Sequence, residues 1–250
     1  MDKKAPGAVP VPVSSIFSPD STRMVYLAQT DKQLLVVVDE KEGKSYDGIS
    51  KGFPIFSPDS MHVAYVAWVG EKRTVVVDGK EEKPYDDVGH LIFSPDSKRV
   101  AYPAKLGNKW FVVEDGNEKK PYEYMGVLIF SPDSKRVAYP AKAGNKWLMV
   151  VDETEEKPYD NVGDLIFSPD SKRVAYAATV DAVIFDSKTM TFGAGVGNKQ
   201  LVIVDGKEQK VYDAIITAGG GKILFDSPDS FHYMAGDRNI IYLVEETLKQ

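Results

Sequence analysis

Six aspartates recur in one setting. Asp20, Asp59, Asp96, Asp133, Asp170 and Asp229 each stand third in a Ser-Pro-Asp-Ser run, and the opening serines lie at Ser18, Ser57, Ser94, Ser131, Ser168 and Ser227, at intervals of 39, 37, 37, 37 and 59 residues. Carboxylates repeated in this way could ligate a hard cation or serve as general acids. The three histidines, His62, His90 and His232, are the other candidates for proton or metal chemistry. The chain has no Cys, so disulfides, thiolate nucleophiles and thiolate metal sites are excluded.

The regularity itself favours a mechanical role. Ser, Pro and Asp in that order suit a type I turn, because Pro pre-sets φ and the side-chain oxygens accept nearby backbone N–H groups. The six aspartates are therefore expected to cap turns, and no metal or cofactor is expected. His62 and His232 fall where other copies carry Arg23, Arg99, Arg136 and Arg173, a structural repeat position. His90 differs. Its counterparts are Ser14, Phe53, Val127, Asp164 and Ile223, so His90 and Asp164 together could form a polar site. Two ligands fall short of the three or four that a metal wants. The chain contains no Gly-x-Ser-x-Gly elbow, P-loop, His-Glu-x-x-His or dinucleotide fingerprint.

The elements that would position these residues are short and β-like. In the copy beginning at Leu91, "LIF" (Leu91 to Phe93), "RVAYPA" (Arg99 to Ala104), "KWFVVED" (Lys109 to Asp115) and "PYEYM" (Pro121 to Met125) are separated by turn residues and rich in β-branched and aromatic types. "LIFSPDSKRVAYPAK" (Leu91 to Lys105) returns almost unchanged at Leu128 to Lys142. Four strands per repeat and six repeats predict an all-β, six-bladed β-propeller with four-stranded blades, a single domain over residues 1–250. The last copy lacks a fourth segment, while "VPVPV" (Val9 to Val13) precedes the first in the fourth-strand register, so the N-terminal strand is expected to close the last blade. Pro103 and Pro140 sit inside a second strand, where a bulge or strand end is expected.

At the level of the repeat, "FSPDSKRVAY" followed by "GNKWFVVEDG" resembles the WD-like propeller repeat of TolB, which also occurs in propeller domains of prolyl-oligopeptidase-type peptidases. The resemblance covers nearly the whole chain. It departs in having Phe where the family often has Trp before Ser-Pro-Asp, and Ser where the family often has Gly after it. It implies six blades with the first strand innermost, Ser-Pro-Asp-Ser and Asp-Gly turns on one face, and the second-to-third-strand and inter-blade loops on the opposite, top face.

Both insertions that lengthen the last interval to 59 residues fall on that top face of blade five. One is at about residues 181–196, "DAVIFDSKTMTFGAGV", read as a hairpin with Val183 to Phe185 and Met190 to Phe192 as its arms. The other is at about 214–222, "AIITAGGGK". Val183, Ile184, Phe185, Met190 and Phe192 lie outside the blade pattern and, with Lys222, are candidate contacts; the bland reading is a lid that only packs on the blade. Trp68, expected in a second-to-third-strand loop, is a candidate anchor, whereas Trp110 and Trp147 recur at one repeat position and read as packing residues.

A net charge of −6 with interspersed signs offers no basic stripe for nucleic acid, and no apolar run is long enough to cross a bilayer. No signal peptide is read in "MDKKAPGAVPVPV", and the compartment stays open between cytoplasm and export with a trimmed signal. The leading reading is a monomeric, non-catalytic binding scaffold whose top face takes a protein, peptide or small-molecule ligand. The alternatives are a propeller hydrolase or lactonase using His90 and Asp164 at the channel mouth, and a repeat-amplified or designed propeller with no dedicated ligand.

Overall fold

Every segment of the repeat that combines β-branched or aromatic residues forms a strand, and every strand is antiparallel to its neighbours. The computed structural model describes residues 15–30, 32–50, 52, 54–186, 191–216, 222–238 and 240–248, with the backbone alone for 181–186 and 191–198. The chain divides into two units, Met1–Pro121 and Tyr122–Gln250. The described residues of each unit form three sheets. The expected closing strand, Val9 to Val13, and Met190 lie outside the described residues.

One local plan recurs. In the third sheet the edge segments Asp87–Val88 and Ile92–Phe93 both pair with Val100–Leu106, which pairs with Lys109–Glu114 and then Asn117–Glu118. Asp-Gly turns close the outer hairpins: Asp78-Gly79, Asp115-Gly116 and Asp205-Gly206 all have positive φ at both residues, as the favoured two-residue hairpin turn requires. Each of these aspartates also accepts the backbone N–H that opens the second strand, as in Val63 to Asp78 (2.9 Å) and Val100 to Asp115 (2.9 Å).

The expected strand "PYEYM" is split between two sheets. In the equivalent segment of the second repeat, Tyr85 bridges Arg73 of its own sheet, whereas Asp87–Val88 pairs with Val100–Leu106 of the next. The chain crosses from one sheet to the next at Asp86, so the first strand of a sheet begins earlier than "LIF" suggests.

Tyrosines at this crossing organise the core. Tyr85 meets Tyr102 edge-on at 6.3 Å in the first unit, and Tyr212 meets Tyr233 at 6.2 Å in the second. The middle strand Val63–Val69 is buried from Val63 through Ala67 on both faces, as a strand between packed sheets must be.

Pro103 and Pro140 lie mid-strand, and the irregularity is in the strand they face. Three residues between Val88 and Ile92 face only two between Ala104 and Ala101, which leaves a bulge opposite Pro103. Gly89 donates to the Pro103 carbonyl (2.8 Å) and Gly126 to that of Pro140 (2.9 Å). A strand residue directs its N–H and C=O to the same neighbour, so the absent N–H faces the bulge, where no regular acceptor is lost. The glycines are required by the rings. A Cβ on Gly126 would lie 2.5 Å from Pro140 Cγ, and on Gly89 3.1 Å from Pro103 Cγ, whereas Gly163, which faces Ala177, has nothing within 4 Å. Gly126→Ala is expected to destabilise by about 1–3 kcal/mol through overpacking. Urea denaturation should find that loss largely relieved in Gly126→Ala/Pro140→Ala, a coupling that independent sites would lack.

Candidate functional site

The repeated aspartates are turn caps in five of six copies. Ser57 Oγ donates to Asp59 Oδ1 (2.5 Å) and accepts the His62 N–H (2.9 Å), while Asp59 also accepts the Met61 N–H (3.0 Å). The same network recurs at Asp20, Asp96, Asp133 and Asp170. Asp229 departs from the expectation: its side chain takes the Arg173 guanidinium at 2.9 Å, and Ser227 Oγ accepts the Asp229 and Ser230 N–H groups instead. The motif also ties neighbouring repeats, since the Asp20 and Asp59 N–H groups donate to Ser60 and Ser97 of the following copies (3.2 and 2.9 Å). His62 occupies the arginine position, accepting Arg23's role: its Nδ1 lies 2.6 Å from Asp78, as Arg23 Nε lies 2.7 Å from Asp39. His232 faces Asp226 instead (2.7 Å).

Serine hydroxyl donation holds the Asp20 carboxyl at about 2 and lowers those of Asp59, Asp133 and Asp170 below the usual range. Groups with depressed folded values stabilise above their unfolded pKa near 4, and that contribution is lost as pH falls through the folded values. The melting temperature should therefore hold above about pH 5 and fall progressively from pH 4 toward pH 2. Asp59→Asn should flatten part of that fall, and a chelator at pH 7 should leave the melting temperature unchanged. A drop on chelation that Ca²⁺ or Zn²⁺ restores would overturn the turn-cap assignment.

A different site emerges from one row of side chains. Register pairs Gly48, Trp68, Arg73 and Tyr85 across the second sheet, and Tyr124, Lys142, Trp147 and Tyr159 across the fourth. These rows stack aromatic rings with cations or with each other, with Arg73 over Trp68 at 4.1 Å and Tyr124 edge-on to Trp147 at 5.7 Å. In the fifth sheet the same row reads Asn161, Thr179, Gln200 and Tyr212. Small neutral hydrogen-bonding groups replace the large rings. They open a polar cavity of about 160 Å³ whose lining includes Asn161, Gly163, Asp164, Thr179, Gln200 and Ile215, all of the second unit. Gln200 Oε1 accepts the Ile215 N–H at 2.6 Å and so fixes one wall.

The long hairpin rises from this row. Val174–Asp186 and Thr191–Val204 are the longest strands described, and after Asp181↔Asn198 the register shifts before resuming at Val183↔Ala194, Ile184↔Gly193 and Phe185↔Phe192. Gly193 and Ala194 are part of this ladder. Lys222 is exposed beside the sixth sheet.

Trp68 is on the strand Val63–Val69, not in a loop. It covers Gly48, where a Cβ would lie 2.9 Å from its ring, it donates from Nε1 to Ser50 Oγ at 2.9 Å, and it is stacked by Arg73. Its free surface is correspondingly small, 38%. The repeat position shared by His90 and Asp164 is also corrected: it lies at the bulge within a first strand, not in a connection between sheets. His90 is exposed between Val88 and Ile92, and Asp164 has φ +50° between Gly163 and Ile166. His90 belongs to the first unit and Asp164 to the second. Among the described residues no group of three or more His, Asp or Glu side chains converges.

The row was missed in the sequence because it mixes positions from four segments. The signal was nonetheless present: Thr179 stands where other copies have Trp68, Lys105 and Lys142, and Gln200 where they have Arg73, Trp110 and Trp147.

Solved structures similar to this chain include TolB from Acinetobacter baumannii, at 14% identity and a TM-score of 0.43, covering 91% of this chain and 61% of that one. They also include the β-propeller domain of the Trilobed protease from Pyrococcus furiosus, at 13% identity and a TM-score of 0.43, covering 90% and 79%. A third is an acylaminoacyl peptidase from Pyrococcus horikoshii, at 11% identity and a TM-score of 0.41, covering 90% and 43%. The chain thus spans about three fifths of the TolB chain it resembles. No family profile and no curated protein sequence matches it. The described residues are all-β and form six antiparallel sheets of four or five strands.

Proposed function

We propose that this chain is a non-catalytic binding module, a single ring of six blades whose contact surface is the polar row and hairpin of the fifth blade. One observation carries the reading: the fifth sheet differs from the second, third and fourth twice at the same end, by polar residues in place of their aromatic row and by a hairpin that continues from that row. Asn161, Thr179 and Gln200 donors and acceptors, with the Asp164 carboxylate, around a cavity of about 160 Å³ suit a backbone amide or a small polar ligand. Binding residues mounted on a rigid sheet need little reorganisation to engage a partner.

Closure into a ring is supported by the sixth sheet. Its outermost described strand, Ile240–Thr247, pairs on one side with Ser230–Asp237 and exposes Ile240, Ile241 and Leu243 by 55%, 64% and 63%. Val9 to Val13 alternates Val with Pro10 and Pro12. In an extended strand the two prolines would turn their missing donors to one edge, leaving the valines' N–H groups to pair on the other. Such a segment can finish a sheet and cannot extend it further.

The test is excision of Asp181 to Val196, followed by a peptide and small-molecule binding screen on the intact and trimmed chains. Ligands of the intact chain should be lost by the trimmed one. If the trimmed chain keeps its fold and every ligand, the proposal fails.

A further inference from the structure

Two replacements carve the cavity of the fifth sheet together. In the third and fourth sheets the rings of Pro103 and Pro140 occupy the space beside Gly89 and Gly126, and Lys105 and Lys142, two residues further along the strand, pair with Trp110 and Trp147. In the fifth sheet Ala177 stands at the proline position, and a Cβ on Gly163 would meet nothing within 4 Å. Thr179 and Gln200 stand at the lysine and tryptophan positions. At about 30 Å³ for each water molecule of the liquid, the resulting space of about 160 Å³ has room for about five non-hydrogen atoms.

Its polar groups are of two kinds. Asp164 is the only charged residue among the described residues that line the cavity, and its carboxylate has no hydrogen bond or ion pair among them. Two further carboxylates of the same sheet are already engaged, Asp160 by Lys146 and Asp213 by Lys199. Thr179 is 8% exposed, and its hydroxyl is likewise unpaired among the described residues. Gln200 uses its carbonyl oxygen on the Ile215 N–H (2.6 Å), which leaves its amide NH2 to donate. Asp164 and Thr179 therefore offer acceptors to a cation, and Gln200 offers a donor to a carbonyl.

We propose that this cavity takes the unblocked N-terminus of a peptide, with its α-ammonium on Asp164 and Thr179 and its first carbonyl on the Gln200 amide. The inference rests on the reading of the fifth sheet as the contact surface and names the ligand of that surface. Glycinamide, the smallest fragment of such a terminus, is of the size the cavity admits. For so small a ligand a Kd on the order of a millimolar is expected.

The experiment titrates the full chain with glycinamide, propionamide and ethylammonium, following saturable chemical-shift changes by NMR at about pH 6, where an α-amino group of pKa about 8 is charged. Glycinamide should bind at least about tenfold tighter than propionamide, its neutral isostere, and at least about threefold tighter than ethylammonium, which lacks the carbonyl. Asn readily adopts the left-handed backbone of Asp164 (φ +50°), so Asp164→Asn removes the charge without strain. It should weaken glycinamide at least about tenfold and leave propionamide unchanged. Thr179→Lys, which restores the residue of the fourth sheet and sets its own ammonium near Asp164, should abolish glycinamide binding. Absence of saturable glycinamide binding overturns the proposal, as does equal affinity for propionamide or ethylammonium, or undiminished binding by Asp164→Asn or Thr179→Lys. A peptide blocked by N-acetylation that binds the intact chain as well as its free form, and is lost on hairpin excision, would overturn the N-terminus as ligand while leaving the contact surface in place.

Discussion

Removal of Met1 to Val13 is expected to lower the unfolding free energy by about 3–6 kcal/mol, from about four ladder hydrogen bonds at about 1 kcal/mol each and apolar burial at about 25 cal/mol per Å². The surface at stake is specific. Ile241 and Leu243 are exposed on Ile240–Thr247, a strand eight residues long that pairs on one edge among the described residues, and long apolar edges invite adventitious pairing. The trimmed chain should therefore also self-associate at concentrations where the intact chain stays monomeric, measured by analytical ultracentrifugation. A synthetic peptide spanning Ala5 to Ser14 should restore both stability and monomeric behaviour when added in trans. The same peptide with Val11→Pro, which loses a donor on the pairing edge, should not. An unchanged melting temperature after truncation would refute closure by this segment.

Excision of Asp181 to Val196 is expected to abolish ligand binding while shifting the melting temperature by no more than about 3 °C, because surface loop length enters stability only logarithmically. The cut falls at a natural seam. It joins Val180 to Gly197-Asn198-Lys199, reproducing the Leu106-Gly107-Asn108-Lys109 turn of the third sheet. The pairs from Ala175↔Val204 to Val180↔Lys199 are retained, matching the six pairs from Ala101↔Glu114 to Leu106↔Lys109. Circular dichroism should show undiminished sheet content. Unfolding of the excised chain would make the hairpin a packing element of its sheet.

The strands and turns were legible in the sequence because their determinants are local. Pro after Ser, Gly after Asp and alternating Val or Tyr each act within a few residues. The split of "PYEYM" was not, because Tyr85 and Val88 have equal strand propensity and only the tertiary partner decides which sheet each joins. The place of Trp68 was misjudged for a related reason: Gly70 ends the strand two residues later than a loop reading assumed, with φ +58°. Asp164 was singled out with His90 at its repeat position, whereas Asn161, Thr179 and Gln200 are ordinary polar residues until register aligns them. His62 was rightly read as a stand-in for arginine, since the aspartate that ends the next strand is present in that repeat as well.

The tie from a Ser-Pro-Asp-Ser turn to the second serine of the next repeat has an evolutionary consequence. Asp20 to Ser60, Asp59 to Ser97 and Asp133 to Ser171 are the same contact written three times, and each involves only adjacent copies. A duplicated 37-residue unit inserted between two others would carry its own donor and its own acceptor, and would find both neighbours already compatible. The near-identity of Leu91 to Lys105 and Leu128 to Lys142 is what recent duplication of such a unit leaves behind. Gene segments of this kind can lengthen or shorten by whole repeats without new interface mutations.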